Sequence, residues 1–402
     1  MVINFMFKKV IFRIIQFFVK ALTSLITWQT DELISKEDAL KDLPKNIKQK
    51  NINKVFLITD PYIYSIGLCS TLEQSLKEEK LEYILYKDVV SNPTISSIEQ
   101  ALNIYKENKC DAIIAVGGGS VMDSAKLMGA RFSNYKKTLK QMRGYFKVQK
   151  RIPYLIVVPT TSGSGSEATI VGVVTDESTH EKYAVTSPKL IPNMVVLDPN
   201  VTINLPGFVT ATTGMDALTH ALECYIGKAN TKLTEKQSLE AIKKIWFNLE
   251  KAVKDPTNLE ARRQMQEASF LAGAAFTRGF VGYVHALAHP LSGFYNIPHG
   301  LANAVLLPKV LRKYGKSINK DMQCLYKELG YQGLEKEKIS NFMIEKIEKL
   351  NERIGIPNKL LEIKEEDLLE MVKRSLKEAH PMYPVPRFLS RKELINIYRE
   401  IM

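Results

Sequence analysis

The sequence is poor in cysteine and lacks the long apolar run of a membrane-spanning helix. Its 402 residues include four cysteines, Cys69, Cys110, Cys224 and Cys324, and none lies in a Cys-x-x-Cys pair. This spacing excludes a disulfide framework or zinc ribbon and predicts free thiols in a reducing, cytoplasmic compartment. No repeat or low-complexity segment is present, and the hydrophobic (45%) and charged (25%) fractions are those of a globular protein.

Acidic residues are the minority among the charged ones. Lys and Arg number 56 against 43 Asp and Glu, which gives a net charge of +13. Such an excess is compatible with nucleic acid, anionic lipid or an anionic cofactor as a partner. Because the lysines are scattered over predicted helix surfaces, the pattern disfavours nucleic-acid binding.

Residues 1–28 predict a basic amphipathic helix. A signal peptide is disfavoured, because lysines and an arginine interrupt the apolar residues and no cleavage-site pattern follows. The apolar face comprises Phe7, Ile11, Ile14, Phe18, Leu22 and Leu25, and the polar face comprises Lys9, Arg13, Gln16 and Lys20. Such a helix lies on a membrane surface, or it packs on the protein body or across a dimer. The enzyme-like pattern of the remaining chain favours packing.

From about residue 50, short runs rich in Val, Ile and Leu alternate with helical patterns. The runs predicted as buried strands are 53–60, 81–90, 111–119, 154–161 and 193–198. This alternation predicts a Rossmann-like α/β domain with a parallel sheet, and segments 168–176 and 181–187 predict a flanking hairpin.

The pattern becomes helical after residues 203–207. The clearest helical segments are 210–227, 232–253, 258–279, 335–354 and 365–378. We therefore expect a lead-in with the amphipathic helix (1–50), an α/β domain (51–205) and an all-α domain (206–402).

Two turns rich in glycine and hydroxyl groups follow predicted strands. GGGSVMDSAK (117–126) opens a helix, and PTTSGSGSE (159–167) follows the next strand. Glycines let a phosphate approach the backbone, and a helix N-terminus offers free N–H groups to it. Neither turn matches the Walker A or G-x-G-x-x-G pattern. Each alone is compatible with an unliganded turn, but two in one sheet favour a nucleotide site.

Four of the six histidines share one stretch of the helical domain. Asp216 and His220 are four residues apart, as are His285 and His289, and His299 follows. This spacing places each pair on one helix face. One Asp with two or three His suits a divalent transition metal with open coordination positions. A hydrogen-bonded core histidine is the alternative for any one of them, and spacing leaves open whether His289 or His299 is a ligand.

These motifs resemble the iron-containing (group III) alcohol dehydrogenases, in the superfamily of dehydroquinate synthases and glycerol dehydrogenases. The resemblance covers about residues 52–402, most strongly in VGGGSVMDSAK, PTTSGSGSEAT, GMDALTHALECY and GYVHALAHPLSGFYNIPHGLANAVLLP. It implies a dehydroquinate synthase-like fold, a dinucleotide in the α/β domain, a metal in the helical domain and a homodimer.

The resemblance also implies the site residues. The metal ligands would be Asp216, His220, His285 and His299, and His289 would carry the substrate proton beside the metal. The cofactor residues would be Asp60, Asn92, Gly117, Gly118, Gly119, Ser120, Asp123, Thr160, Thr161, Ser164 and Lys182. Fe(II) is the implied metal, and Zn(II) fits the same ligands. The acidic Asp60 would repel a 2′-phosphate, so NAD is expected over NADP.

The implied reaction is reversible hydride transfer between NAD(H) and a small primary alcohol or aldehyde, with the metal as Lewis acid on the substrate oxygen. A dehydroquinate synthase-like lyase and a glycerol dehydrogenase-like polyol oxidoreductase are the alternatives. The lyase typically has Glu as its first ligand and basic residues around the metal, whereas this chain has Asp216 and apolar neighbours. The intact ligand set disfavours a non-catalytic scaffold.

Overall fold

The computed structural model describes residues 2–25, 29–179 and 181–402 and divides into two compact units. One unit comprises Trp28–Asn204, and the other comprises Met1–Thr27 with Leu205–Met402. The expected lead-in, 1–50, is therefore divided between the two. Its helix α1 (Val2–Leu25) belongs to the helical unit, whereas strand β1 (Glu32–Ser35) and helix α2 (Ala39–Lys48) belong to the α/β unit.

The α/β unit is built on a six-stranded parallel sheet. Its other strands are β2 (Lys54–Ile58), β3 (Glu82–Tyr86), β4 (Ala112–Gly117), β6 (Tyr154–Pro159) and β9 (Met194–Leu197). Their order is β1-β9-β6-β4-β2-β3, which confirms the predicted parallel sheet. The central strand β4 is apolar and buried along its whole length, because helices cover both faces of a parallel sheet.

A smaller sheet contains the predicted hairpin. Strands β7 (Val171–Asp176) and β8 (Glu181–Thr186) pair antiparallel, and the two-residue strand β5 (Gly144–Tyr145) joins β8. The helices of this unit are α3 (Pro61–Ser65), α4 (Ser70–Glu78), α5 (Ile95–Glu107), α6 (Gly119–Ser133) and α7 (Leu139–Met142). Side-chain caps fix where helices begin: Thr94 and Ser97 form a capping box at α5.

The helical unit has the central helix α8 (Gly207–Ile226), which is buried along most of its length. The other helices are α9 (Lys232–Lys254), α10 (Leu259–Gly279), α11 (Tyr283–Tyr295), α12 (His299–Tyr314), α13 (Asn319–Glu328), α14 (Lys336–Arg353), α15 (Leu368–Ala379) and α16 (Arg391–Ile401). Helix α8 packs against α9, α10 and α12. The five predicted helical segments are confirmed, although the last begins with a 3₁₀ turn, Glu365–Asp367.

Helix α1 packs on the helical unit through its polar face. Arg13 Nη2 donates to the carbonyl of Val385 at 2.7 Å, and Gln16 Nε2 donates to the carbonyls of Pro381 at 2.7 Å and Tyr383 at 2.9 Å. The favoured packing on the protein body is thus present, but the predicted apolar face does not make it. The side chains of Leu22 and Leu25 lie outside the described part of the chain.

Within the described ranges, no helix is both long and apolar enough to cross a membrane. All four cysteines are free thiols, and Cys324 is the exposed one.

Candidate metal and nucleotide sites

Three helices of the helical unit bring the candidate metal ligands together. Asp216 and His220 lie one turn apart on α8, His285 lies in the first turn of α11, and His299 is the first residue of α12. All but His299 are buried. The α12 helix approaches α8 closely, because a Cβ at Gly300 would lie only 2.3 Å from the Thr212 carbonyl oxygen of α8.

The candidate ligand atoms surround the Asp216 carboxylate. Asp216, His220 and His285 each present one ligand-type atom, and these atoms lie within 4.8 Å of one another. His285 Nε2 lies 3.7 Å from Asp216 Oδ1, and His299 Nε2 lies 3.5 Å from the same oxygen. The rings of His220 and His285 stack at a centroid distance of 4.3 Å. The four residues therefore form one cluster.

Sequence reasoning missed Glu223, which orients His285. Its carboxylate accepts hydrogen bonds from His285 Nδ1 at 2.7 Å and from the backbone N–H groups of Gly282 at 2.8 Å and Val284 at 2.7 Å. With Nδ1 as a donor to this carboxylate, Nε2 is the nitrogen that faces Asp216 and that would offer a lone pair once a metal displaces its proton. Glu223 is seven residues beyond Asp216 on the same face of α8, so its spacing was a usable signal.

Asn303 also lies against the cluster and was not predicted. It is fully buried on α12, four residues after His299. Its Nδ2 donates to Asp216 Oδ1 at 2.7 Å and lies 3.1 Å from His299 Nε2. The amide thereby fixes both groups relative to α12.

The charges of the cluster favour a bound cation. Burial opposes ionisation of Asp216, yet the imidazoles of His220, His299 and His285 hold its pKa far below the ordinary value. Burial also opposes the charged form of His285, but Asp216 and Glu223 raise its pKa to about 9. A field that retains a proton at this point also stabilises a divalent ion, and carboxylate and imidazole are ligands that transition metals accept.

His289 is the most exposed histidine of the group and contacts a carboxylate. Its side chain is 46% exposed, and its Nδ1 lies 2.7 Å from Glu378 Oε1 of α15. Tyr383 donates to the same oxygen at 2.7 Å. The His289 ring stacks on the His299 ring at a centroid distance of 5.1 Å. Burial opposes ionisation of Glu378, but His289 and Tyr383 lower its pKa, so Glu378 is a carboxylate that accepts from Nδ1 of His289.

In the α/β unit, the two glycine- and hydroxyl-rich turns lie against each other. They follow the adjacent parallel strands β4 and β6, and the Thr160 N–H donates to the Gly117 carbonyl at 3.1 Å. A Cβ at Gly118 would lie 3.5 Å from Thr161 Oγ1, and one at Gly119 would lie 3.0 Å from Ser164 Oγ. The turns thus meet at the carboxyl end of the sheet, where α/β proteins bind nucleotides.

Four further predicted cofactor residues lie on neighbouring segments. Ser120 donates a hydrogen bond to the Ser91 carbonyl, and Lys182 donates to Asn92 Oδ1 at 3.3 Å. Asp60 follows β2, the strand beside β4, and its Oδ1 accepts from the Ile63 N–H at 2.9 Å as the N-cap of α3. That capping contact was not foreseen from the sequence.

Asp123 contacts the protein interior. Its Oδ1 accepts from Ser166 Oγ at 2.7 Å, and its Oδ2 accepts from the Val173 N–H at 3.1 Å. Burial raises the pKa of this carboxyl. Both oxygens therefore connect α6 to the second turn and to β7, and these contacts differ from the cofactor contact expected of Asp123.

Lys126, one turn further along α6, is a buried cation that sequence reasoning passed over. It is 0% exposed, and its Nζ donates to the carbonyls of Ser166 at 2.5 Å, Thr169 at 3.0 Å and Val171 at 3.0 Å. Burial lowers its pKa to about 8, so the ammonium form still prevails at neutral pH. The hydroxyl oxygens of Ser166 and Thr169 also lie 3.0 Å from Nζ, so its three N–H donors are surrounded by acceptors behind the second turn.

An α/β unit with paired nucleotide-type turns and a helical unit with an Asp/His cluster are the features expected of a metal-dependent dehydrogenase. Comparison with known proteins gives the family. Residues 30–199 match the family described as "Iron-containing alcohol dehydrogenase", and residues 210–402 match "Fe-containing alcohol dehydrogenase family, C-terminal". The chain belongs to the iron-containing alcohol dehydrogenase family, and it is an alcohol dehydrogenase.

Relatives and solved structures agree with this assignment over most of the chain. The chain is 36% identical over 354 residues to a 1,3-propanediol dehydrogenase of Klebsiella pneumoniae, covering 86% of this chain and 91% of that protein. It is 30% identical over 344 residues to an NAD-dependent methanol dehydrogenase of Bacillus methanolicus, covering 85% and 90%. A crystal structure of 1,3-propanediol oxidoreductase superposes with a TM-score of 0.90 at 32% identity, covering 94% of this chain and 100% of that chain.

Proposed function

We propose that the protein is an NAD-dependent enzyme with Fe(II) held by Asp216, His220, His285 and His299. It would transfer a hydride from the carbinol carbon of a small primary alcohol to NAD⁺ and release the hydroxyl proton, giving an aldehyde and NADH, or run in reverse. The observation that carries the proposal is the cluster of ligand atoms around Asp216 Oδ1.

The residues present fit a divalent ion with an open position. When bound, such an ion supplies Lewis-acid chemistry at the substrate oxygen and the nicotinamide supplies the hydride chemistry. Glu223 would hold His285 in the tautomer and orientation that a ligand needs. Zn(II) accepts the same donors, so the metal retained after purification can differ from the working one.

His289 is proposed as the carrier of the substrate proton. Its Nδ1 is held by Glu378, and its half-exposed ring stacks on His299. Its Nε2 is therefore oriented to accept a proton beside the cluster and pass it to solvent. The reverse reaction would use the same atom as the proton donor.

The nucleotide is proposed to bind at the paired turns of the α/β unit. The backbone of Gly117, Gly118, Gly119 and Ser120, at the start of α6, would hold the pyrophosphate. Thr160, Thr161 and Ser164 would line the facing side, and Asn92 with Lys182 would lie nearer the adenine end. The contacts of Asp123 support a positioning role for this residue within the site.

Changing Asp60 is expected to relax the preference for NAD. Asp60→Asn keeps an N-cap side chain for α3 and removes the charge, whereas Asp60→Gly removes both. Without repulsion of a 2′-phosphate, the ratio of kcat/KM for NADP to that for NAD should rise about tenfold in both variants. Glu107→Gln, an exposed change at the end of α5, is the charge-matched control. An unchanged ratio in Asp60→Asn would show that Asp60 does not read the ribose.

The direct test of the function is oxidation of NADH and NADPH by protein purified without oxygen. A panel of short aldehydes is assayed with Fe(II), with Zn(II) and after chelation. Metal-dependent NADH oxidation, fastest with Fe(II), is the expected result, and the panel ranks the chain length of the substrate. Inactivity on every aldehyde despite tight metal and NAD binding would indicate a substrate outside the panel and refute the proposed short primary alcohol. Inactivity without bound metal would refute the assignment of the metal ligands.

We also propose a cytoplasmic homodimer. The free thiols agree with a reducing compartment. The short strand β1 is at the edge of the six-stranded sheet, and its Leu33 side chain is 47% exposed. An edge strand of this kind is a suitable place for a second copy to pair.

A further inference from the structure

We propose that α1 attaches the enzyme to an anionic lipid surface through what we call the α1 apolar face. This face comprises Phe7, Val10, Ile11, Ile14, Phe17 and Phe18. Neither candidate site includes any of these residues, so the proposal is independent of the proposed function.

The α1 apolar face is oriented away from the protein body by the contacts of the opposite face. Gln16 is 5% exposed and donates to two carbonyls, and Arg13 lies over the Phe388 ring at 4.4 Å. Phe12 packs on His380, with ring centroids 5.0 Å apart. Because these contacts occupy the polar side, rotating the helix to bury its apolar side would break them. The orientation is therefore part of the folded enzyme.

The exposed apolar area is large for one helix of a globular protein. Phe7, Phe17 and Phe18 are 66–67% exposed, and Val10 and Ile14 are 57% and 50% exposed. Val10, Ile14 and Phe17 line a shallow groove of about 520 Å³ together with Phe388. A contiguous apolar patch of this kind marks an interaction surface, and three outward phenylalanines on one helix suit the headgroup–acyl boundary of a bilayer.

Charge complementarity selects lipid as the occupant. Helix α1 contains no acidic residue, and the whole chain has a net charge of +13. Lys9, Arg13 and Lys20 lie on the polar face that packs on the body, so Lys8 is the cation that borders the apolar face. A second copy placed on this face would bring two chains of net charge +13 together. Anionic headgroups would instead attract Lys8 and the basic protein body while the acyl region receives the phenylalanines. Lys8 is exposed at the border of the face, where a headgroup can reach it.

The test is co-sedimentation of the full-length enzyme with vesicles of phosphatidylcholine alone or with phosphatidylglycerol added. We expect binding to the anionic vesicles to be at least about tenfold tighter and to weaken as salt is raised. Phe17→Ser with Phe18→Ser should weaken it about tenfold or more while aldehyde reduction and the circular dichroism spectrum stay unchanged. Lys8→Gln should reduce the preference for anionic vesicles, because Lys8 is the exposed cation at the border of the face.

The matched control is Leu361→Ser with Leu369→Ser, two exposed leucines elsewhere on the helical unit, at 86% and 63% exposure. This pair should leave vesicle binding unchanged. The proposal is overturned if the phenylalanine double variant and the leucine double variant bind anionic vesicles with the same affinity, or if the wild-type chain does not bind anionic vesicles more tightly than phosphatidylcholine vesicles. It is also overturned if light scattering shows that the phenylalanine pair only converts a dimer to a monomer, because the occupant is then a second copy.

Discussion

Replacing His285 with alanine is expected to remove the bound metal and the enzyme activity together. His285 is buried, its Nδ1 is held by Glu223, and its Nε2 faces Asp216 at 3.7 Å. Loss of one imidazole from such a pre-oriented set removes a ligand and leaves the Asp216 and Glu223 carboxylates without the ring that lies between them. We expect kcat/KM to fall on the order of 10³-fold or more. Metal content by mass spectrometry and NADH oxidation are measured on the same anaerobic preparation.

His299→Ala should behave in the same way, since His299 Nε2 lies 3.5 Å from the same Asp216 oxygen. His289→Ala is the matched control, because it also removes an imidazole from this group. The His289 ring stacks on His299 and its Nδ1 pairs with Glu378, and the described structure shows no hydrogen bond or ion pair between His289 and Asp216. It should retain the metal and lose about 10²-fold in activity by loss of proton transfer. One metal ion per chain retained in both His285→Ala and His299→Ala would refute the ligand assignment.

The α/β unit could be predicted well because its strands are buried on both faces. A strand such as β4 is a continuous apolar run, and the turn residues after it mark where the strand ends. Strand β1 escaped prediction because it has only four residues, three of them half-buried and one exposed, and it follows the amphipathic helix closely in sequence. Its place in the sheet depends on pairing with β9, far along the chain.

The amphipathic pattern of α1 predicted a helix with two faces but not which face contacts the body. Hydrophobic burial alone would favour the apolar face, yet Phe7, Ile14 and Phe18 of that face are exposed. Gln16 and Arg13 instead bind carbonyls of the 381–386 segment, more than 360 residues away in sequence. No local pattern reveals that these carbonyls require donors.

The sequence placed the candidate metal residues correctly on helices, since i and i+4 spacing fixes a shared face. It left open the choice between His289 and His299, which depends on how α12 packs against α8 through Gly300. The residues that orient the cluster, Glu223 and Asn303, were missed for the same reason. Their hydrogen bonds cross between helices, and single-helix periodicity does not report such contacts.

Lys126→Met is expected to destabilise the α/β unit and to weaken NAD binding, although Lys126 is not among the proposed cofactor ligands. Methionine fills a similar volume but leaves the carbonyls of Ser166, Thr169 and Val171 without the Nζ donor. It also removes the stronger of the two cations that act on Asp123, the other being Lys182. Removing one partner of a buried charge network costs about 3–5 kcal/mol. The free energy of unfolding is obtained from urea titration, and the affinity for NADH from fluorescence titration.

The effect on NADH follows from where the carbonyls lie. Ser166 ends the turn that carries Thr160, Thr161 and Ser164, so release of its carbonyl lets that turn move relative to Gly118 and Gly119. We expect the Kd for NADH to rise about tenfold. Ser166→Ala removes only the hydroxyl contacts to Lys126 and Asp123, and it should cost about 1 kcal/mol with a smaller rise in Kd.

Lys106→Met on α5 is the control, because Lys106 is exposed and its loss should leave both measurements within about 0.5 kcal/mol of the wild type. If Lys126→Met unfolds at the same urea concentration as Lys106→Met, the buried ammonium does not stabilise the unit. If it is destabilised but binds NADH normally, Lys126 supports the fold and the second turn needs no such anchor. If the free energy of unfolding and the affinity for NADH both fall, slightly in Ser166→Ala and strongly in Lys126→Met, Lys126 is the positioning residue that connects α6 to the nucleotide turn.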